Sequence, residues 1–193
     1  RHLLLGTNGY TDDLWPELRK TLVPVASHQS ATAPLTDNLR RSILPQGQHV
    51  SEARNSMVYY RLSPDGRFMI GGRSRRPFMN EQTGDSEHLR QEAIRLFPQL
   101  EGQSWEFDWG GYVAMTPDHA PMFLRLGENA HAALAFQGRG VAMATAMGRE
   151  LAGLVLGRPV AMPPAPVRPI PLHGLRNLGI AWAVQTGKLK DRL

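Results

Sequence analysis

The chain has 193 residues, 41% of them apolar and 20% charged, values that suit one globular domain or two small ones with a real core. It holds no cysteine, which excludes disulfide scaffolds, thiolate metal sites and thiol nucleophiles. Twenty-two Lys and Arg against seventeen Asp and Glu give a formal charge of +5. The arginines are spread along the chain rather than gathered on an aromatic-studded strand, so no nucleic-acid partner is expected. No apolar run reaches the roughly 18 residues of a membrane helix, and no basic stretch followed by an apolar one opens the chain. The expectation is a cytoplasmic protein without a membrane span.

Arg1-His2-Leu3-Leu4-Leu5 reads as the end of a buried strand, followed at once by Gly6-Thr7-Asn8-Gly9. A chain that opens inside a strand without Met is expected to be the C-terminal part of a longer protein. Asp12 to Leu22, acidic early and basic late, predicts a short helix closed by Pro24. Val25 to Leu35 reads as extended. Val58 to Leu62, the turn Ser63-Pro64-Asp65-Gly66 and Arg67 to Gly72 form the clearest hairpin, because the turn supplies a fixed φ and a tolerant glycine. Asp85 to Phe97 predicts an amphipathic helix with Ser86 as N-cap, Leu89, Ala93, Leu96 and Phe97 on one face, and Pro98 at its end.

Trp105 to Met115 returns to strand, with a break expected at Gly110-Gly111. Ala132 to Phe136 is wholly apolar, as a strand covered on both faces should be. It runs into Gln137-Gly138-Arg139-Gly140 and then a helix whose Val141, Ala144, Gly148, Leu151 and Val155 recur three and four apart, closed by Gly157 and Pro159. Pro159 to Pro171 reads as extended surface chain. A last amphipathic helix over Leu175 to Leu189 places Leu175, Leu178 and Trp182 on one side.

The strand, glycine turn and small-residue helix at Ala132 to Leu156 carry the strongest site signal. Gly138 and Gly140 leave room for a ligand against the backbone, and the free N–H groups of the first turn face an anion or a polarised carbonyl. The pattern also suits an ordinary strand-to-helix turn, and Met143 stands where a dinucleotide fingerprint needs its third small residue. Gly6 to Gly9 is a second, weaker place of backbone approach. Trp109-Gly110-Gly111-Tyr112 sets aromatics beside glycines, which suits a flat ligand or a core bulge. Arg73, Arg75 and Arg76 are a solvated loop cluster or a grip for a carboxylate or phosphate. The seven histidines show no metal spacing.

Taken in order, Thr7-Asn8-Gly9-Tyr10, the hairpin Tyr59 to Arg67 with Gly71-Gly72-Arg73, Trp109-Gly110-Gly111, Thr116-Pro117-Asp118-His119-Ala120-Pro121, Phe136-Gln137-Gly138-Arg139-Gly140-Val141 and Pro171 to Arg176 resemble the C-terminal half of the FAD-dependent amino acid and amine oxidoreductases. The resemblance implies an α/β (α+β) fold. Residues 1–24 would end the first FAD-domain stretch, 25–112 would form the antiparallel substrate-binding sheet, and 113–193 would return to a Rossmann-like FAD domain with C-terminal helices. It implies FAD as cofactor, held by Gly9, Gly138, Arg139, Gly140 and Val141, and an amine or amino acid substrate near Tyr60, Trp109 and Tyr112. It implies hydride transfer from the carbon beside the substrate nitrogen, with no general base named. Tyr59 and Tyr60 point to opposite faces of their strand, so one of them at most meets substrate. Val113 stands about where some members carry a carboxylate-gripping arginine, which favours an amine over an α-amino acid. The N-terminal βαβ fingerprint is absent from these residues, so the FAD site is incomplete and the missing N-terminal half of the FAD domain is an implied partner. The alternative is a non-catalytic fragment or subunit that folds and binds no flavin alone.

Overall fold

The computed structural model of the chain describes residues 1–55, 57–74 and 86–191. In chain order the elements are β1 (Leu3–Leu5), β2 (Val23–Pro34), α1 (Asp37–Ile43), β3 (Val50–Ser51), β4 (Val58–Leu62), β5 (Arg67–Arg73), α2 (Glu87–Leu96), β6 (Trp105–Met115), β7 (Met122–Gly127), β8 (Ala130–Leu134), α3 (Gly140–Val155), β9 (Ala165–Pro166) and α4 (Arg176–Lys190). They form two compact units: the first joins Arg1–Val25 to Tyr112–Arg176, and the second joins Ala26–Gly111 to Asn177–Leu193.

The first unit is built on the sheet β1-β8-β7-β9. β8 pairs parallel with β1 and antiparallel with β7. Every residue of β8 is buried, because both faces are covered; the strand expected over Ala132 to Phe136 instead starts at Ala130, takes in His131 and ends at Leu134, where Ala135 turns to a φ of 58°. On one side Ala132 and Leu134 pack with Leu5, Leu18, Leu22 and Leu124. On the other, Ala133 and Phe123 meet Phe136 and the Met147 and Leu151 side chains of α3. The buried stripe of α3 is therefore Met143, Met147, Leu151 and Leu154, one heptad-like row of the helix. The expected stripe included Val141, Ala144 and Gly148, and the structure turns these three to solvent.

His131 sits inside this sheet, buried, with Nδ1 unpartnered. Burial, and then the nearby charges of Arg125 and His2, hold its pKa below the usual 6.5. The native state thus keeps the ring neutral while the unfolded chain takes up a proton, so stability is present above about pH 6.5 and falls as pH drops below it. The expected result is a melting temperature that declines from about pH 6.5 towards pH 5, with a shallower decline in His131→Gln.

The second unit is the antiparallel sheet β3-β4-β5-β2-β6. The β4–β5 hairpin pairs Tyr60 with Ile70 and Leu62 with Phe68, as its turn chemistry dictates. The side chains on one face, Val58, Phe68 and Ile70, bury against Leu89 and Ala93 of α2, with Leu35, Ile43 and Leu44 from α1 and its flanks. Arg54 ties the β3–β4 loop to α2 by bonding both Glu52 and Glu92. Hydrogen bonds from Arg95 and Arg54 hold the Glu92 carboxyl down at about 2.

Several local expectations are corrected. Asp12 to Leu22 forms only a 3-10 turn at Leu18–Thr21. Trp15 precedes Pro16, which disfavours the helical region, and Glu17 adopts a left-handed φ of 63°. Pro24 lies inside β2 rather than ending a helix. β6 runs unbroken through Gly110-Gly111, and neither glycine has a positive φ. Ser86 does precede α2, but it lies in the helical region and its hydroxyl makes no cap; its Oγ is buried without a partner. In α4, Leu178 and Trp182 are 68% and 72% exposed, so their shared side packs on no core. Asp191 near the end of that helix accepts from both Asn55 nitrogens. Arg75 and Arg76 lie outside the described residues.

Candidate functional site

The turn between β8 and α3 is where the backbone departs furthest from regular structure. Ala135, Gln137 and Gly138 all have positive φ, of 58°, 54° and 78°. Two non-glycine residues in that region carry strain, and named side-chain bonds hold them. Asn8, itself at φ 47°, accepts at Oδ1 from Ala135 N at 2.9 Å and Phe136 N at 3.4 Å. Gln137 Nε2 donates to Thr116 Oγ1 at 2.8 Å and to the Ala135 carbonyl at 2.9 Å. Gln137 Oε1 accepts from Thr116 N. The turn is therefore clamped from below by the loop after β1 and from the side by the Thr116–Pro121 loop.

Above the clamp the turn is bare. Among the described residues, a Cβ on Gly140 would meet nothing within 4 Å, and one on Gly138 would touch only Val113 Cγ1 at 4.0 Å. Val141 is 95% exposed. The N–H of Met143 is used by the Arg139 carbonyl, whereas the N–H groups of Gly140, Val141 and Ala142 precede the first helical bond and have no acceptor within the helix. α3 is 16 residues long, and its dipole places partial positive charge at this corner. The Arg139 guanidinium adds a full charge beside it, steadied by a 3.3 Å bond to the His119 carbonyl. In the same loop, Asp118 is held below the usual carboxylate range, first by the Thr116 side chain and then by the Ala120 N–H. The arrangement suits a flat ligand that carries or develops negative charge along one edge.

Gly138, Arg139, Gly140 and Val141 thus come together as one open corner. Gly9 is placed differently from a ligand-facing glycine. A Cβ there would lie 2.4 Å from the Tyr112 carbonyl oxygen, so Gly9 is small because β6 passes over it. Tyr112 stacks edge-on with Tyr10 at 5.7 Å, and its N–H donates to the Tyr10 hydroxyl. Trp109 is 39% exposed on β6. Tyr60 lies on the core face of its sheet, its ring 6.0 Å from Phe68 and 5.4 Å from Phe97. Tyr59 takes the opposite face, flat over Gly71, where a Cβ would be 2.3 Å from its ring. Its hydroxyl is 3.2 Å from Ser27 Oγ. Asn8 and Gln137 are the site residues that sequence reasoning passed over. Both stood inside motifs read for their glycines, and the signal was a polar amide at a turn where a left-handed conformation is tolerated.

Among the described residues there is no group of three or more His, Asp or Glu able to hold a metal ion, and no helix is long and apolar enough to cross a membrane.

A parallel β1–β8 pair running through a glycine corner into α3, with a separate antiparallel sheet, makes this a mixed α/β protein. Residues 1–154 match the model of the FAD dependent oxidoreductase family, and the chain belongs to that family. It is 29% identical over its whole length to the gamma-glutamylputrescine oxidoreductase of Escherichia coli, of which it covers 46%. It is 30% identical over 159 residues to a probable oxidoreductase, OrdL, of Haemophilus influenzae, a match that takes in 80% of this chain and 36% of that protein. Among solved structures, L-proline dehydrogenase from P. horikoshii superposes with a TM-score of 0.55 at 25% identity, over 72% of this chain and 37% of that one. The chain spans less than half the length of these relatives.

Proposed function

We propose that this chain supplies the flavin-ring corner and the substrate sheet of an enzyme that oxidises the C–N bond of an amine or amino acid derivative. FAD, when bound, supplies a two-electron acceptor for the hydride leaving the carbon beside the substrate nitrogen. The chain's own residues do the rest. The N–H groups of Gly140 to Ala142 and the α3 dipole favour negative charge on the ring edge that rests against them. Gly138 and Gly140 allow that approach, and Asn8 and Gln137 keep the corner from collapsing. Val113, beside Gly138, offers an apolar wall and no grip for a carboxylate, which favours an amine such as the γ-glutamylated diamine in the relative's name. Of the two hairpin tyrosines, Tyr59 is the better placed for a substrate, since Tyr60 is committed to the core. The observation that carries the reading is the empty space over Gly140 at the mouth of a 16-residue helix.

The test is a titration of FAD into the purified chain, read by flavin fluorescence. Because these residues hold only part of an FAD site, weak quenching is expected, lowered further by about tenfold or more in Gly140→Leu, with an unchanged circular dichroism spectrum because none of the described residues occupies that space. Quenching that ignores Gly140→Leu overturns the reading. Anaerobic addition of γ-glutamylputrescine then separates an enzyme, whose bound flavin bleaches, from a binding module, whose flavin does not.

A further inference from the structure

The second unit carries a groove of about 470 Å³, lined in part by Asp37, Arg40, Arg41, His49 and Arg61. Its size is that of a small-molecule site. Among the described residues, Arg40, Arg41 and Arg61 contribute to this lining and Asp37 is its one acidic residue, which leaves a surplus of two positive charges. Asp37 is already ion-paired to Arg40. Arg40 is fixed further by the β4–β5 turn, since a Cβ on Gly66 would lie 3.0 Å from its Nη1.

The other arginines of this unit behave differently. Arg54, Arg67, Arg90 and Arg95 each reach at least one carboxylate. Arg41 donates to the neutral side chain of Asn38 at 2.8 Å and feels Asp37 only as a nearby charge, and among the described residues neither Arg41 nor Arg61 makes an ion pair. Of the arginines without an acid partner there, which also include Arg73, two share this one groove. Unneutralised like charges gathered in a concavity repel one another and focus an attractive field for an anion. A guanidinium offers a planar fork of donors to an oxyanion.

We infer that this groove binds a compact dianion, either a phosphate monoester or a small dicarboxylate, with Arg41 and Arg61 as its principal donors and Arg40 held in place by Asp37. Among the described residues the lining holds no Trp, Tyr or Phe for a nucleobase to stack on, so the ligand argued for is a compact anion rather than a nucleic-acid strand. The site lies wholly within the second unit and stands apart from the flavin reading.

The test titrates inorganic phosphate, and separately succinate, into the full chain by calorimetry at constant ionic strength. Saturable binding of at least one dianion is expected, weakened by about tenfold or more in Arg61→Gln and in Arg41→Gln. Arg95→Gln, whose arginine lies outside the groove, is expected to bind as the wild type does. Phosphate binding alone identifies a phosphate-bearing ligand, and succinate binding alone a dicarboxylate. Arg61→Lys, which keeps the charge, is expected to retain more affinity than Arg61→Gln. The inference is overturned if neither dianion saturates, or if Arg61→Gln and Arg41→Gln bind like the wild type.

Discussion

Replacing Phe68 by alanine is expected to cost the second unit about 3–5 kcal/mol, a large share of the roughly 5–15 kcal/mol that holds a domain folded. Phe68 is fully buried. Its ring lies 6.0 Å from Tyr60 and 5.5 Å from Phe97, and the same cluster includes Leu35, Ile70, Leu89 and Leu100. The loss therefore combines the transfer energy of a phenyl ring with a cavity that rigid strands on one side and α2 on the other cannot close. Phe107→Ala is the comparison. That ring is 51% exposed and lies 4.8 Å from the Arg67 guanidinium, a contact worth about 0.5–1 kcal/mol. Chemical denaturation of the two variants checks the difference, and equal midpoints would refute the assignment of this core.

Gly9→Ala is the second large effect, and it acts on the first unit. The added methyl would sit 2.4 Å from the Tyr112 carbonyl oxygen and 2.8 Å from its carbonyl carbon. These are backbone atoms and cannot swing aside like the end of a side chain. The loop that carries Asn8 must shift instead, and with it the bonds that hold Ala135 and Phe136. The expected cost is about 3 kcal/mol, together with a weakened flavin corner. Gly6→Ala, three residues away, meets nothing within 4 Å and is expected to change stability by less than about 0.5 kcal/mol. Thermal melts of the pair check this. Similar melting temperatures would mean that the close approach of β6 to Gly9 is not a feature of the folded protein.

The contrast between these glycines shows how far the residues could be read in advance. The β4–β5 hairpin was legible because Pro64, Asp65 and Gly66 encode a reversal locally. β8 was legible in part because Ala132, Ala133 and Leu134 open an apolar run that suits a covered strand, although the strand begins at Ala130, takes in His131 and ends before Ala135. The corner at Gly138 to Val141 was legible as a place of backbone approach. What Gly9 is for was not legible, because its reason lies 103 positions along the chain in Tyr112. The α3 stripe failed for a related cause: small residues at helical spacing can face either a core or a ligand, and only the Phe123 and Phe136 side chains decide that Met147 and Leu151 turn inward. Tyr59 and Tyr60 alternate along one strand, and which of them is buried depends on the sheet face that α2 covers, which the strand sequence does not encode. Asn8 and Gln137 were hidden because their work is done by side-chain amides reaching distant backbone.

The account rests on the corner at the mouth of α3 being the resting place of the flavin ring. Amide shifts of the isotope-labelled chain during titration with FAD test this most directly, because they register weak binding residue by residue. The largest movements are predicted at Gly138, Arg139, Gly140 and Val141, with smaller ones at Val113 and none beyond noise at Gly102 or Arg95. Movements centred elsewhere while these amides stay fixed, or no movement at all, would contradict it.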